Sequence, residues 1–195
     1  SVENGIATGY TTDGIGCLKA LEAAGISPKG RCLLLGSGGA ARAIAFAFTE
    51  VCDTPDLTFA VREESLEKTR ELCASLALYA EKLGKTGKNT AIPYSLLESR
   101  TEACLNKLSY DLLLNCTSVG MYPHTDRCAV SETVISRCGA VFDAVYNPHD
   151  TLLLKTARKL GIPVVHGMAM LVWQAAAAHE IWYGASFRPQ DMAQL

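Results

Sequence analysis

A glycine-rich turn interrupts the chain at Leu33-Leu-Leu-Gly-Ser-Gly-Gly-Ala-Ala-Arg42, between an apolar run and a helical pattern of small residues. Its spacing is G-x-G-x-x-A, with Gly36, Gly38 and Ala41 at the spaced positions. Gly36 permits the tight turn, Gly38 lets a pyrophosphate approach the backbone, and Ala41 lets the helix pack closely on the strand. Because the turn follows a strand and opens a helix, we expect a dinucleotide on the free N–H groups at the helix start rather than a purely structural turn.

Short apolar runs alternate with helical patterns on both sides of this turn. The expected strands cover 31–35, 57–61, 90–93, 110–115, 140–145 and 163–165. The expected helices cover about 13–24, then 41–51, 64–83, 96–108, 131–138, 151–160, 168–183 and a final turn in 188–195. Continuous apolar strands that alternate with helices are typical of a sheet buried on both faces. The sequence therefore predicts an α/β fold, a doubly wound (Rossmann-type) parallel sheet with helices on both faces.

The composition excludes several classes of protein. Of 195 residues, 49% are hydrophobic and the net charge is −2, which excludes a disordered chain and gives no general attraction to nucleic acid or to an acidic membrane. The longest apolar stretch, 168–178, is too short to span a membrane. The eight cysteines form no C-x-x-C pair, so we expect free thiols in a reducing cytoplasm. The four histidines lack metal-ligand spacing, and we expect no metal and a structural role for His166.

The end of the second strand bears on the choice of dinucleotide. An acidic residue there binds the ribose 2′-hydroxyl of NAD, whereas an arginine accommodates the 2′-phosphate of NADP. The sequence has Val61-Arg-Glu-Glu64 at this place, so Arg62 favours NADP and Glu63 favours NAD. A carboxylate would repel the phosphate unless Arg62 lay between them. Two solvated charges at a strand end are the remaining interpretation, and the residues alone leave the choice open.

Six segments resemble, in the same order, motifs of the shikimate dehydrogenase family. They are Gly9-Tyr-Thr-Thr-Asp-Gly-Ile-Gly16, Gly36-Ser-Gly-Gly-Ala40, Asn115-Cys-Thr-Ser-Val-Gly-Met121, Val145-Tyr-Asn-Pro148, Gly167-Met-Ala-Met-Leu-Val-Trp-Gln174 and Trp182-Tyr-Gly184. The family patterns are G-Y-N-T-D-x-x-G, G-A-G-G-A, N-A-T-S-x-G-M, V-Y-N-P, G-x-x-M-L-x-x-Q and W-T-G. Several ordered motifs are more specific than a lone glycine pattern.

The resemblance implies a reaction and a set of residues for it. The family moves a hydride between the nicotinamide and the carbon that bears a secondary alcohol of a cyclohexene acid, so 3-dehydroshikimate and NADPH give shikimate. By this resemblance Asp13 is the catalytic aspartate, whose carboxylate holds a lysine and the substrate hydroxyl. The implied substrate contacts are Asp13, Tyr146 and Gln174. The cofactor contacts, taken from the turn chemistry and the resemblance together, are Gly36, Ser37, Gly38, Gly39, Ala40, Ala41, Arg62, Glu63, Thr117, Ser118, Val145, Gly167 and Met170.

The chain also departs from the family pattern. Thr11 stands where the family has asparagine, and Val61-Arg62-Glu63 stands where N-R-T is common. An acid after the arginine, and the segment Tyr146-Asn-Pro-His149, resemble the subgroup that oxidises both quinate and shikimate with NAD or NADP. The resemblance therefore implies NADP, with NAD and quinate as alternatives.

The resemblance also implies a domain organisation. Family members carry an N-terminal substrate domain that supplies the catalytic lysine, and nothing in this sequence corresponds to it. We therefore expect residues 1–12 to be a linker from that domain, 13–167 to bind the dinucleotide, and 168–195 to form helices that pack on the substrate domain. We expect this fragment to bind cofactor and to be inactive by itself. A non-catalytic dinucleotide-binding module is a further alternative, and the sequence does not give the oligomeric state.

Overall fold

A computed structural model describes residues 1–99 and 110–188. The helix expected over 96–108 and the final turn expected over 188–195 lie largely outside these residues. The described part of 96–108 includes the end of one short helix, which covers Tyr94–Glu98.

Six parallel strands form the main sheet, in the order β5-β4-β3-β6-β7-β8. Their bounds are β3 Arg31–Leu35, β4 Asp56–Val61, β5 Lys88–Pro93, β6 Leu112–Asn115, β7 Val141–Asp143 and β8 Val164–Val165. The chain winds outward from β3 to β5 and then returns to β6, on the other side of β3. This is the doubly wound order of dinucleotide-binding domains, and it confirms the predicted fold class.

Helices connect these strands on both faces of the sheet. They are α1 Asp13–Ala23, α2 Gly39–Val51, α3 Leu66–Lys82, α4 Tyr94–Glu98, α5 Glu132–Ile135, α6 Leu152–Lys159 and α7 Gly167–Tyr183. A short 3₁₀ turn, Glu63–Ser65, precedes α3, so the helix expected from residue 64 begins two residues later. Several of the other elements are shorter than expected. The apolar pattern of the sequence also includes buried residues that lie just outside the helices and strands.

A small hairpin lies before α1 and was not predicted. Its strands β1 (Val2–Glu3) and β2 (Ile6–Ala7) pair antiparallel across Asn4 and Gly5. Both turn residues have positive φ, 50° and 79°, as an Asn-Gly hairpin turn requires. The Asn-Gly pair was therefore the sequence signal for this element.

The side chains of each strand alternate between two cores. On β3, Leu34 packs with Phe48 and Trp173 from the helices on one face, whereas Leu33 and Leu35 pack in a second core on the other face. Both cores are closed, since these β3 leucines have no exposed surface. This burial on both faces explains why the strands read as continuous apolar runs.

Helix α1 lies between α2 and α7, and glycine permits both contacts. A Cβ at Gly14 would lie 2.6 Å from the carbonyl oxygen of Ala43, on α2. A Cβ at Gly16 would lie 2.7 Å from the carbonyl oxygen of Met170, on α7. Helix α7, which was expected to pack on another domain, thus buries one side in the core described here, while Trp182 near its end is 60% exposed.

A buried carboxylate connects the elements that carry the loops of one sheet edge. Asp143, at the end of β7, accepts hydrogen bonds from Asn115 Nδ2 (2.9 Å), Val145 N (3.0 Å) and Thr151 Oγ1 (2.6 Å). Thr151 in turn accepts from Leu154 N and caps α6. The side chains of Asn115, Asp143 and Thr151 are fully buried, so their polar groups form hydrogen bonds with protein groups in place of water.

We expect Asp143→Ala to lower the free energy of unfolding by about 3 kcal/mol, because it leaves three buried donors without an acceptor. Chemical denaturation followed by circular dichroism measures this loss. The exposed Asp126 supplies the control, and Asp126→Ala should stay within about 0.5 kcal/mol of the unsubstituted chain. A small loss at Asp143 would contradict this account of the network.

Burial raises the pKa of the Asp143 carboxyl, and the hydrogen bonds from Thr151, Val145 and Asn115 oppose that rise. The native state therefore holds this proton more tightly than the unfolded state, and its stabilising effect is lost as pH rises from about 4 through the raised pKa. Asp143→Asn removes the titration. We expect the stability of the unsubstituted chain, relative to Asp143→Asn, to fall as the pH rises above about 4, and denaturation over a series of pH values tests the sign.

Candidate cofactor-binding site

The crevice at the carboxyl ends of β3 and β6 is the place where the strand order reverses. These two strands are neighbours in the sheet but are separated by 76 residues of sequence. A dinucleotide in a doubly wound sheet binds across such a crevice. The glycine turn follows β3, and the Asn115-Cys-Thr-Ser118 segment follows β6, so the topology brings two of the predicted cofactor segments together.

The glycine turn has the backbone geometry that a phosphate site needs. Gly36 has φ +89°, and a Cβ there would lie 2.9 Å from Thr117 Cγ2, so the turn lies directly against the β6 loop. A Cβ at Gly38 or Gly39 would meet nothing within 4 Å, which leaves the start of α2 open to a ligand. Ala41 is fully buried beneath it. A pyrophosphate fits this helix N-terminus.

Ser37 is tied to α3 by a contact that sequence reasoning missed. Its Oγ lies 2.8 Å from Thr69 Oγ1, which also lies 2.7 Å from the carbonyl oxygen of Ser65. A hydroxyl has one hydrogen, so when Thr69 donates to Ser65, it accepts from Ser37. Thr69 is fully buried, and it thereby fixes the glycine turn relative to the segment after β4.

The segment after β4 separates the two charges that bear on the choice of dinucleotide. Arg62 pairs with Glu64, with Nη1 and Oε1 3.2 Å apart. Glu63 instead accepts a hydrogen bond of 3.1 Å from Ser95 Oγ on α4. Arg62 and Glu63 therefore have different partners. The Arg62 side chain is 75% exposed, so the guanidinium can exchange Glu64 for another anion at little cost.

The loop after β6 is organised by Asn115. Its Oδ1 accepts from Thr117 N (3.1 Å) and Thr117 Oγ1 (2.7 Å), while its Nδ2 donates to Asp143. Thr117 and the exposed Ser118 thus stand at the crevice on a loop that the buried network holds. Val145, at the other end of the network, is buried and donates its N–H to Asp143.

The start of α7 lies against the segment after β7. A Cβ at Gly167 would lie 2.6 Å from the carbonyl oxygens of Ala144 and Val145, so only glycine permits this approach. Tyr146, which follows Val145, is 49% exposed at the same edge of the sheet. The structure therefore places Gly167, Val145 and Tyr146 together.

Asp13 and Gln174 come from distant parts of the sequence to one place. Asp13 is the first residue of α1 and is half-buried. Gly16, one turn further along α1, lies so close to α7 that a Cβ there would be 2.9 Å from Gln174 N. Met170, on the same α7 turn, is buried in the core with only 7% of its surface exposed. Asp13 therefore lies one helical turn from the point where α1 meets Gln174, and Met170 packs in the core beside it.

The cysteines within residues 1–99 and 110–188 show no sign of an activated thiol. The seven in the described residues are free. Burial raises the pKa of Cys32, Cys116 and Cys138 to about 12, so these thiols stay protonated at neutral pH. In the same residues, no cluster of three His, Cys, Asp or Glu side chains could hold a metal ion, and no helix is long and apolar enough to cross a membrane.

The sequence is similar to curated shikimate dehydrogenases (NADP(+)). The enzyme of Methanococcus maripaludis is 37% identical over 185 residues, which are 94% of this chain and 60% of the relative. The enzyme of Bacillus cereus is 33% identical over 195 residues, 99% of this chain and 65% of the relative. No family model matches the chain. The chain thus spans less than two thirds of the length of these relatives.

Solved structures give the same comparison. A shikimate dehydrogenase in complex with NADP+ has a TM-score of 0.75 and 31% identity, over 100% of this chain and 63% of that one. A shikimate 5-dehydrogenase from Thermus thermophilus, in complex with NADP(H) and shikimate, has a TM-score of 0.70 and 31% identity. The match covers 95% of this chain and 61% of that one. A quinate dehydrogenase from Corynebacterium glutamicum, in complex with NAD, has a TM-score of 0.72 and 25% identity. The match covers 97% of this chain and 63% of that one.

The solved structures agree with the doubly wound sheet. The chain is therefore similar to shikimate dehydrogenases in sequence and in fold over nearly all of its length.

Proposed function

We propose that this chain is the cofactor-binding portion of an NADP-dependent shikimate dehydrogenase, which converts 3-dehydroshikimate and NADPH into shikimate. The observation that carries the proposal is the open glycine turn at the start of α2, in the crevice between β3 and β6. The relatives, named shikimate dehydrogenase (NADP(+)), support the reaction, and the structures in complex with NADP+ support the cofactor.

Each part of the crevice has a task in this proposal. The N–H groups from Gly38 to Ala41 bind the pyrophosphate, because they point from a helix N-terminus that no side chain covers. The Arg62 guanidinium breaks its ion pair with Glu64 and binds the 2′-phosphate instead. Thr117, Ser118 and Val145 line the cofactor further along the crevice. Bound NADPH would supply the hydride, and the protein aligns the reacting carbons.

Asp13, Tyr146 and Gln174 are the proposed substrate contacts. The Asp13 carboxylate accepts a hydrogen bond from the substrate hydroxyl and, by the family resemblance, holds a catalytic lysine. Gln174 and Tyr146 offer an amide and a phenol to a polyhydroxy acid. No position in these 195 residues matches the family's lysine, so we expect the chain by itself to bind cofactor with little turnover.

A quinate/shikimate dehydrogenase that uses NAD or NADP is the second candidate, and Glu63 is the observation that favours it. An acid at the end of the second strand suits the ribose hydroxyl of NAD. The 3.1 Å bond from Ser95, however, holds the Glu63 carboxylate towards α4. The quinate dehydrogenase in complex with NAD keeps this candidate open. A non-catalytic binding module is less well supported, because such a module has no need of the proposed substrate contacts Asp13 and Gln174.

We expect the chain to bind NADPH more tightly than NADH in a fluorescence titration. Arg62→Gln should weaken NADPH by about tenfold and leave NADH nearly unchanged, because it removes one charge-assisted contact to the 2′-phosphate. The control is Arg70→Gln, which removes a comparable exposed pair with Glu67 on α3 and should affect neither cofactor. Equal or tighter NADH binding by the unsubstituted chain would favour the second candidate, and binding of neither would overturn the cofactor assignment.

We also expect Glu64→Gln to tighten NADPH and to leave NADH unchanged, because the carboxylate competes with the 2′-phosphate for Arg62. The pair is exposed, so the gain should be about two- to fivefold. The same titration measures it. A loss of NADPH affinity would mean that Glu64 positions Arg62 instead of competing for it.

A further inference from the structure

Four polar side chains form a cluster beside the crevice that the proposed chemistry does not use. The rings of His149 and His166 are stacked, with centroids 4.0 Å apart and planes inclined by 10°. Arg158, on α6, donates to both carboxylate oxygens of Asp150, at 3.1 and 2.5 Å. The same guanidinium lies 3.0 Å from His166 Nε2. His166 Nδ1 lies 2.8 Å from the carbonyl oxygen of His149.

The contacts define which nitrogen of His166 carries the proton. A guanidinium only donates hydrogen bonds, so His166 Nε2 accepts from Arg158. A carbonyl oxygen only accepts, so Nδ1 carries the hydrogen and donates it to His149. Asp150 holds Arg158 in place for this contact, and the Arg158 hydrogen bonds in turn keep the pKa of the Asp150 carboxyl below its usual value. Both ring nitrogens are therefore used, and the side chain is fixed as one tautomer.

The bond from His166 joins two segments that carry proposed site residues. His149 ends the Tyr146-Asn-Pro-His149 segment, which follows β7 and exposes Tyr146. His166 follows β8 and directly precedes Gly167, the first residue of α7. Gly167 already lies within contact distance of the backbone at Ala144 and Val145. The His166 bond adds a second attachment four residues further along the same segment.

The position of this attachment matches one half of a dinucleotide. Arg62, at the end of β4, marks the adenosine half, and the pyrophosphate lies at the start of α2. By the general rule for doubly wound sheets, the remaining half would cross the point where the strand order reverses and lie over the carboxyl ends of β6, β7 and β8. The segments after β7 and β8 are those that His166 joins. The adenosine half, in contrast, lies over strands that the cluster does not touch.

The geometry points to His166 as a positioning residue for the nicotinamide half of the cofactor. Its Nδ1–H bond to the His149 carbonyl holds the Tyr146–His149 segment against the start of α7, and Arg158 selects the tautomer that makes this bond. This inference rests on the proposed function, because it assumes that a dinucleotide lies in the crevice.

Two amide substitutions separate the two bonds of His166. Asparagine places an amide nitrogen where Nδ1 stands, so His166→Asn keeps a donor for the His149 carbonyl and loses the contact with Arg158. Glutamine places its amide where Nε2 stands, so His166→Gln keeps an acceptor for Arg158 and loses the donor. We would titrate each variant and the unsubstituted chain by calorimetry with NADPH and with 2′,5′-ADP, which carries only the adenosine half. The exposed His179, on the same helix as Gly167, gives the control His179→Gln.

We expect His166→Gln to lower the affinity for NADPH by about fivefold, as the loss of one hydrogen bond implies, and to leave the affinity for 2′,5′-ADP unchanged. His166→Asn and His179→Gln should bind both ligands like the unsubstituted chain. Unchanged NADPH binding by His166→Gln would overturn the inference. So would an equal loss for both ligands, which would indicate a merely structural role, or an equal loss in the asparagine variant. If the unsubstituted chain bound neither ligand, the proposed function would fail first and the inference with it.

Discussion

The hydrogen bonds that converge on the Asp143 carboxylate are the interaction on which this edge of the sheet depends. Asn115, Val145 and Thr151 bring donors from the end of β6, the segment after β7 and the start of α6 to one buried group. Because none of these side chains is exposed, moving any one of the three segments would leave an unpaired polar group in the interior. The network therefore defines where these loops begin, and the loops carry part of the candidate site, including Thr117, Ser118 and Tyr146. A loop with few contacts of its own can be precise when its ends are held in this way.

Close approach of backbones adds a second constraint. Helix α1 lies between two helices because Gly14 and Gly16 have no side chains at the contacts, and α7 starts against the end of β7 because Gly167 has none. These contacts bring Asp13 near Gln174, although more than 150 residues separate them in the sequence. The same helix α7 buries Met170 and Trp173 in the core. Helices from distant parts of the sequence are thus held against each other.

Local patterns were sufficient for the parts of the fold that local physics determines. The glycine turn, the runs at β3 and β4 and the helix at Gly39–Val51 could be predicted because strand burial and turn geometry are written in adjacent residues. The β5 strand begins two residues earlier than expected. Its first residues, Lys88 and Asn89, are polar and lie on an edge strand, so they gave no apolar signal. The contacts of Ser37 with Thr69, Glu63 with Ser95 and His166 with Arg158 could not be predicted, since each depends on how separate elements are arranged in three dimensions. The sequence could therefore identify candidate residues but not their hydrogen-bond partners.

The central claim is that the start of α2 receives the phosphates of a dinucleotide. Amide nitrogen–proton correlation spectra of the chain, recorded during addition of NADPH, test it most directly. The account predicts saturable shifts that are largest for the amides of Gly38, Gly39, Ala40 and Ala41, with further shifts at Thr117 and Ser118. Absence of saturable shifts at these amides would contradict it, as would shifts confined to the opposite edge of the sheet around Gly87.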